Sequence, residues 1–155
     1  MTRRSGGAFA AGHRGGSPMA RLALAASMTR HPRSIRAGES LHTAEEMLEK
    51  LQCHHLPVRD GGRLVGVPTA SDIAFAARLH PDVAYLKVED ACATEPLTVD
   101  VDTDLRTAVA LMLERRVDSV LVMNAKDGGE PMLDGLSTLR DAARVLHDVL
   151  PTVWL

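Results

Sequence analysis

Apolar residues recur along this chain in two rhythms, and the same succession of rhythms occurs twice. Leu41, Ala44, Leu48 and Leu51 fall at i, i+3, i+7 and i+10, the spacing of one apolar helix face. Leu105, Ala108, Val109 and Met112 repeat that face further on. Ahead of each helix a short pair follows a proline, Ser34-Ile35 and Thr98-Val99, and predicts a brief strand. Behind each helix two strands are expected around a glycine turn. The first turn is Arg59-Asp60-Gly61-Gly62-Arg63, where glycine accepts the positive φ of a tight hairpin. The second is longer and spans residues 124–130, with Gly128-Gly129. A closing helix begins near Thr69 or Thr138 and carries Ile73, Ala76 and Ala77, or Ala142, Val145 and Leu146. The order β-α-β-β-α, twice, predicts an α/β fold in which neither unit buries its own sheet alone.

The duplication is legible residue by residue. At an offset of 64, Leu41, Thr43 and Ala44 meet the identical Leu105, Thr107 and Ala108. His55-Leu56-Pro57-Val58 meets Ser119-Val120-Leu121-Val122 at the same offset. After the longer second turn the offset becomes 69, and Gly66, Thr69 and Asp72 fall on Gly135, Thr138 and Asp141. The expected organisation is a leading segment 1–21, one unit over 22–86, a second over 87–150, and a tail 151–155.

Composition narrows the interior. Only four residues are Phe, Tyr or Trp, so the cores are aliphatic. No run of about 18 apolar residues exists, so no membrane span is expected. Two cysteines, Cys53 and Cys92, are too few for a disulfide framework and fit a reducing cytoplasm. The net charge of -2 conceals a split: seven arginines and no acid precede Glu39. The opening residues 1–18 are rich in Gly, Ser and Arg and are read as a flexible tail or as sequence upstream of a natural start at Met19, with a transit peptide or a nucleic-acid arm as the other readings.

These segments together resemble the CBS-domain family, the cystathionine beta-synthase domain, in its tandem form. The resemblance rests on Met28-Thr29-Arg30-His31-Pro32 and Ala93-Thr94-Glu95-Pro96 as unit openings, and on His55–Val58 and Ser119–Val122 as central strands. It rests most of all on Gly66-Val67-Pro68-Thr69-Ala70-Ser71-Asp72 and Gly135-Leu136-Ser137-Thr138-Leu139-Arg140-Asp141, both Gly-x-x-Thr-x-x-Asp. It covers about five-sixths of the chain. It implies two units packed sheet to sheet about a pseudo-twofold axis, commonly as a homodimer, with clefts for an adenosine-containing ligand such as AMP, ADP, ATP or S-adenosylmethionine. Carried onto this chain it nominates Ile35, Leu56, Thr69 and Asp72 in one cleft. It nominates Val99, Val120, Thr138 and Asp141 in the other, with the Asp on ribose, the Thr near phosphate and the strand residues around adenine.

The residues support that reading and a plainer one. A Thr at a helix start presents first-turn N–H groups to an anion, and a carboxylate one turn later can accept ribose hydroxyls. Thr-x-x-Asp is also close to a capping box, which only satisfies the helix's own N–H groups. The second cleft is expected to bind more strongly: Pro68 removes a backbone donor in the first. Ser137 adds a hydroxyl in the second, and Arg140 adds a guanidinium able to meet phosphate, unless it merely pairs with Asp141 or Asp134 on the surface.

Other signals lead nowhere chemical. Cys53-His54-His55 lacks a second pair at ligand spacing, and Cys53 reads as a core residue at a helix end. Cys92 has no positioned base, and Glu89, Asp90 and Glu95 nearby would raise its pKa. The chain is therefore read as no enzyme but a regulatory module, requiring no cofactor, acting on a protein partner through ligand-driven change in conformation or assembly. The alternatives are a dimerisation module with empty clefts and, through the arginine arm, a nucleic-acid binder without stacking aromatics.

Overall fold

The computed structural model describes residues 23–92, 95–125 and 128–150, so the leading segment and the tail lie outside it. The expected elements form where the pattern placed them. Strand β1 is Thr29–Arg30, β2 Ile35–Arg36, α1 Leu41–Leu51, β3 Val58–Asp60, β4 Arg63–Gly66 and α2 Ala70–Leu79. The second unit follows with β5 Thr98–Asp100, α3 Leu105–Arg115, β6 Ser119–Asn124, β7 Met132–Thr138 and α4 Leu139–Val149. Helix α1 starts because the Ser40 hydroxyl accepts the Thr43 N–H at 3.1 Å, and α3 because the Asp104 carboxylate accepts that of Thr107 at 2.8 Å. Gly61 turns the first hairpin at φ 60°.

Each unit buries one face of its first helix: Leu41, Ala44 and Leu48 in α1, and Leu105, Ala108 and Met112 in α3. Leu51, assigned to the α1 face by its spacing, stands 40% exposed, because the helix end overhangs a cleft rather than the core. The sheets are β2-β3-β4 and β1-β7-β6-β5, with β2 parallel to β3, β5 parallel to β6, and the hairpins antiparallel.

The opening strand of the chain does not join its own unit. Thr29 and Arg30 pair antiparallel with Leu136 and Gly135 of the second unit. Leu24 and Met28 lie in the core of that second unit, with Val99, Leu105, Ala108, Met112, Val120 and Val122. In return Val88 and Ala91, which open the second repeat, sit in the core of the first with Ile35, Leu41, Leu56 and Ile73. The exchange keeps the register of the repeat: Leu24 and Val88 are 64 apart, and both are wholly buried. Ala23 bridges Asp104, and Lys87 bridges Ser40, again at that offset. The two halves are thus clasped by mutual insertion, which is what a pseudo-twofold relation between them requires. Each core draws residues from both sides of the expected 86/87 boundary.

The clasp also explains the glycine of each signature. A Cβ on Gly66 would lie 2.5 Å from the Sγ of Cys92, and one on Gly135 would lie 2.3 Å from the Sδ of Met28. Met28 and Cys92 are again 64 apart. Glycine stands at each place because the other unit's opening residue packs directly on the backbone there.

Candidate functional site

Two clefts of similar size sit where the units meet, one of about 650 Å³ and one of about 730 Å³. Both fall in the range of small-ligand sites, roughly 300–1,000 Å³. The first holds Asp72 and Val67 from the first unit. Facing them are Glu95, Pro96 and Leu97 from the opening of the second, and the end of α3 with Asp118 and Ser119. The second holds Leu136, Arg140 and Asp141 from the second unit. Facing them are His31, Pro32 and Arg33 from the opening of the first, and the end of α1 with His54 and His55. The clefts are copies of one another, and each is built across the unit boundary.

Both signature pairs form capping boxes. In the first, the Asp72 Oδ2 accepts the Thr69 N–H at 2.8 Å and its hydroxyl at 2.9 Å, while the Thr69 Oγ1 accepts the Asp72 N–H at 3.1 Å. In the second, the Asp141 Oδ2 accepts the Thr138 N–H at 3.0 Å and hydroxyl at 2.8 Å, and the Thr138 Oγ1 accepts the Asp141 N–H at 3.1 Å. The capping reading of Thr-x-x-Asp therefore holds in both copies. Each box uses the two lone pairs of Oδ2 and leaves those of Oδ1. The Asp141 Oδ1 lies 3.9 Å from an Arg144 guanidinium nitrogen that is mostly in solvent. Each carboxylate thus leaves Oδ1 outside its capping box.

The other nominated residues lie elsewhere. Ile35, Leu56 and Val120 are core residues, exposed by 5%, 0% and 1%. Val99 is 9% exposed and borders a separate hollow with Gly62 and Leu64. Their side chains fill the two cores and line neither of the two clefts. Ser137 is wholly buried, its hydroxyl 3.3 Å from that of Ser27, so it contributes to the clasp and not to the cleft. Thr69 and Thr138 stand at the helix starts, Thr138 on the lining of the second cleft. Arg140 is exposed there and makes no ion pair among the described residues, neither with Asp141 nor with Asp134.

Residues the sequence did not nominate complete the lining. Helix α1 ends on Gln52 at φ 50° and α3 on Arg116 at φ 55°, left-handed positions that glycine occupies at least cost, and each projects into its cleft. His31 adopts φ 48° in the second cleft. Every non-glycine residue with positive φ among those described therefore borders a cleft. His55 is half-buried on the lining of the second cleft, and its Nε2 atom is buried with no hydrogen-bond partner. The Asp118 Oδ1 lies 3.3 Å from that nitrogen but outside hydrogen-bond geometry.

The environment of both cysteines raises their thiols. Burial first, then the charges of Glu89, Asp72 and Asp90, push the Cys92 thiol up to about 11. The sequence named Glu95 as a neighbour; the fold brings Asp72 there instead. Burial also raises Cys53, which packs against the first core at the end of α1. No group of three His, Cys, Asp or Glu among the described residues is placed to hold a metal.

Two clasped β-α-β-β-α units with paired clefts at their junction define a tandem-repeat module. The chain belongs to the CBS domain family: the family's model matches residues 23–78 and again 88–148. Solved structures agree in fold. The CBS domain pair of protein MJ0100, solved with 5-methylthioadenosine and S-adenosyl-L-methionine, is 22% identical with a TM-score of 0.70, covering 83% of this chain and 98% of that one. CBSX2, solved with AMP, is 27% identical with a TM-score of 0.63, covering 82% and 97%. Hypoxic Response Protein I, solved with two coordinated zinc ions, is 25% identical with a TM-score of 0.60, covering 77% and 94%.

Proposed function

We propose that this chain is a regulatory module that binds an adenosine-containing ligand in its two clefts and performs no catalysis. The observation that carries this reading is the duplicated cleft itself. At both junctions a helix-capping Asp borders a cavity of nucleotide size with its Oδ1 free to accept ribose hydroxyls. The ligands of MJ0100 and CBSX2 are all adenosine derivatives, which favours the same chemistry here. Because each cleft is walled by both units, occupancy changes how the units sit against each other, and that change is the signal a protein partner would read.

The module acts in the cytoplasm as a homodimer. No described helix is long and apolar enough to cross a membrane. Phe75 and Leu79 on α2 are 60% and 62% exposed, and Leu146 on α4 is 52% exposed. Apolar helix faces of this kind suit a twofold interface. Light scattering at micromolar concentration should return twice the chain mass, and the mass of one chain contradicts the dimer.

Calorimetric titration with AMP, ADP, ATP and S-adenosylmethionine tests the ligand reading. At least one should bind the native protein and raise its melting temperature by mass action. The second reading, a dimerisation module with empty clefts, is favoured by one observation: both carboxylates already serve the helix caps. A native protein that binds none of the four supports that reading and rejects ours.

A further inference from the structure

The internal repeat superposes the two clefts, and the superposition exposes a systematic exchange of charge. His31 of the second cleft stands where Glu95 stands in the first, and His54 where Asp118 stands. Arg33 takes the place of Leu97, Arg140 that of Ser71, and Arg144 that of Phe75. One exchange runs the other way: Gln52 replaces Arg116. The first cleft is consequently lined by three carboxylates and one guanidinium. The second is lined by three guanidiniums and three imidazoles against two carboxylates, one of them Asp118, which borders both clefts. Arg63 approaches Glu95 at 3.8 Å, but both side chains are over three-quarters exposed, so the contact barely quenches that charge.

We infer that the two clefts sort adenosine ligands by charge. The Asp141 cleft takes the adenosine di- or triphosphate, and the Asp72 cleft takes an adenosine ligand without phosphate, best one bearing a positive charge. The inference rests on the adenosine reading above and adds the ligand class of each cleft. The planar, permanently charged guanidiniums of Arg33, Arg140 and Arg144 suit bidentate bonds to phosphate oxygens. All three are exposed and so within reach of an incoming anion, and as surface charges they act in a salt-screened way. The imidazole of His55 adds a polar group to the same cleft, its Nε2 3.3 Å from the Asp118 carboxylate, and Ser119 occupies the equivalent position in the first. A polyphosphate entering the first cleft would instead meet Asp72, Glu95 and Asp118 with only Arg116 in compensation. Opposite charges at this partly wet depth also bind in a salt-dependent way, since the screening length is about 8 Å at physiological ionic strength.

The test titrates the full chain with ATP, adenosine, S-adenosylmethionine and inorganic tripolyphosphate at low and high salt. The protein is used as wild type, as Asp72→Ala, and as the double variant Arg140→Gln/Arg144→Gln. ATP should bind more tightly than adenosine and lose affinity with salt. The double variant should weaken ATP and tripolyphosphate by about ten- to hundredfold, as expected for a lost charge-assisted bond, while adenosine changes little. S-adenosylmethionine should instead be weakened by Asp72→Ala. Equal affinity for ATP and adenosine overturns the inference, as does ATP binding untouched by the double variant or weakened as much by Asp72→Ala. Tripolyphosphate separates this inference from the reading beneath it. If it binds and the double variant releases it, while no adenosine ligand binds at all, the adenosine reading fails and the cationic cleft stands. If neither tripolyphosphate nor ATP binds, the charge sorting fails whatever adenosine does.

Discussion

Gly66 and Gly135 occupy one position in two copies of the same fold, and each is roofed by a side chain from the opposite copy. The roofs differ. Over Gly66 the nearest atoms are the Sγ and Cβ of Cys92, a short side chain whose Cβ is fixed to the main chain. Over Gly135 all three nearest atoms belong to the flexible side chain of Met28. The same contrast runs through the molecule. The clasp is identical in register on both sides, yet the residues that make it differ in size and freedom, and the clefts beside it differ in charge. Duplication fixed the geometry while the side chains on it diverged.

That comparison can be broken most sharply at the plugs. Leu24→Ala removes a wholly buried side chain from the second core and should cost about 2–5 kcal/mol of folding stability. Val88→Ala, at the equivalent place in the first core, deletes less and should cost less. Denaturant midpoints of the two variants measure this; a mild Leu24 variant would show that the opening segment does not plug the second unit.

Next in size is the difference between the clefts. Asp141→Ala should weaken the preferred ligand by about ten- to hundredfold, the equivalent of roughly 1.5–3 kcal/mol. Asp72→Ala should weaken that ligand distinctly less. Both variants lose a capping box and should drop in stability by a similar amount, about 1 kcal/mol. Matching stability with unequal affinity is the pattern to look for in calorimetry and melting curves. Equal affinity losses, or a larger loss at Asp72, reverse the order of the clefts.

The glycines follow. Gly66→Ala forces a Cβ against Cys92 atoms anchored to the main chain and should cost about 1–3 kcal/mol, as overpacking does. Gly135→Ala should cost less, because Met28 can swing aside. A Gly135 variant as damaged as the Gly66 variant would mean that Met28 is locked.

The smallest effect concerns the thiols. Both are raised by burial, Cys92 to about 11, so both are neutral near pH 7. Pulsed alkylation should label Cys53 before Cys92. In the native state Cys92 holds its proton above the pH where an unfolded thiol loses it, near 9. Its contribution is therefore intact below about pH 9 and is lost as pH climbs toward 11. Wild type should lose more stability across that window than Cys92→Ala, and an equal loss would remove the thiol from the account.

Much of this was legible along the chain because it is local. Helix faces repeat every few residues, caps lie three residues apart, and the glycine turn of the first hairpin is written in consecutive letters. The doubling of these marks at offsets of 64 and 69 identified two units and their α/β class, and the resemblance to the CBS family nominated the Thr–Asp pair of each. The charge asymmetry was half visible too: Arg140 stood out, whereas Arg33, Arg144 and the three histidines did not, since they lie in other segments and only folding gathers them. Tertiary structure alone decided that the openings cross over, so that Leu24 and Val88 plug each other's units and each Asp faces the other unit's opening strand. It also decided that Ile35, Leu56, Val120 and Ser137 point inward. A repeat constrains which residues are equivalent, but either an uncrossed or a crossed pairing satisfies the same local pattern. The choice between them depends on which core a side chain fills, an energy set by packing between segments distant in sequence.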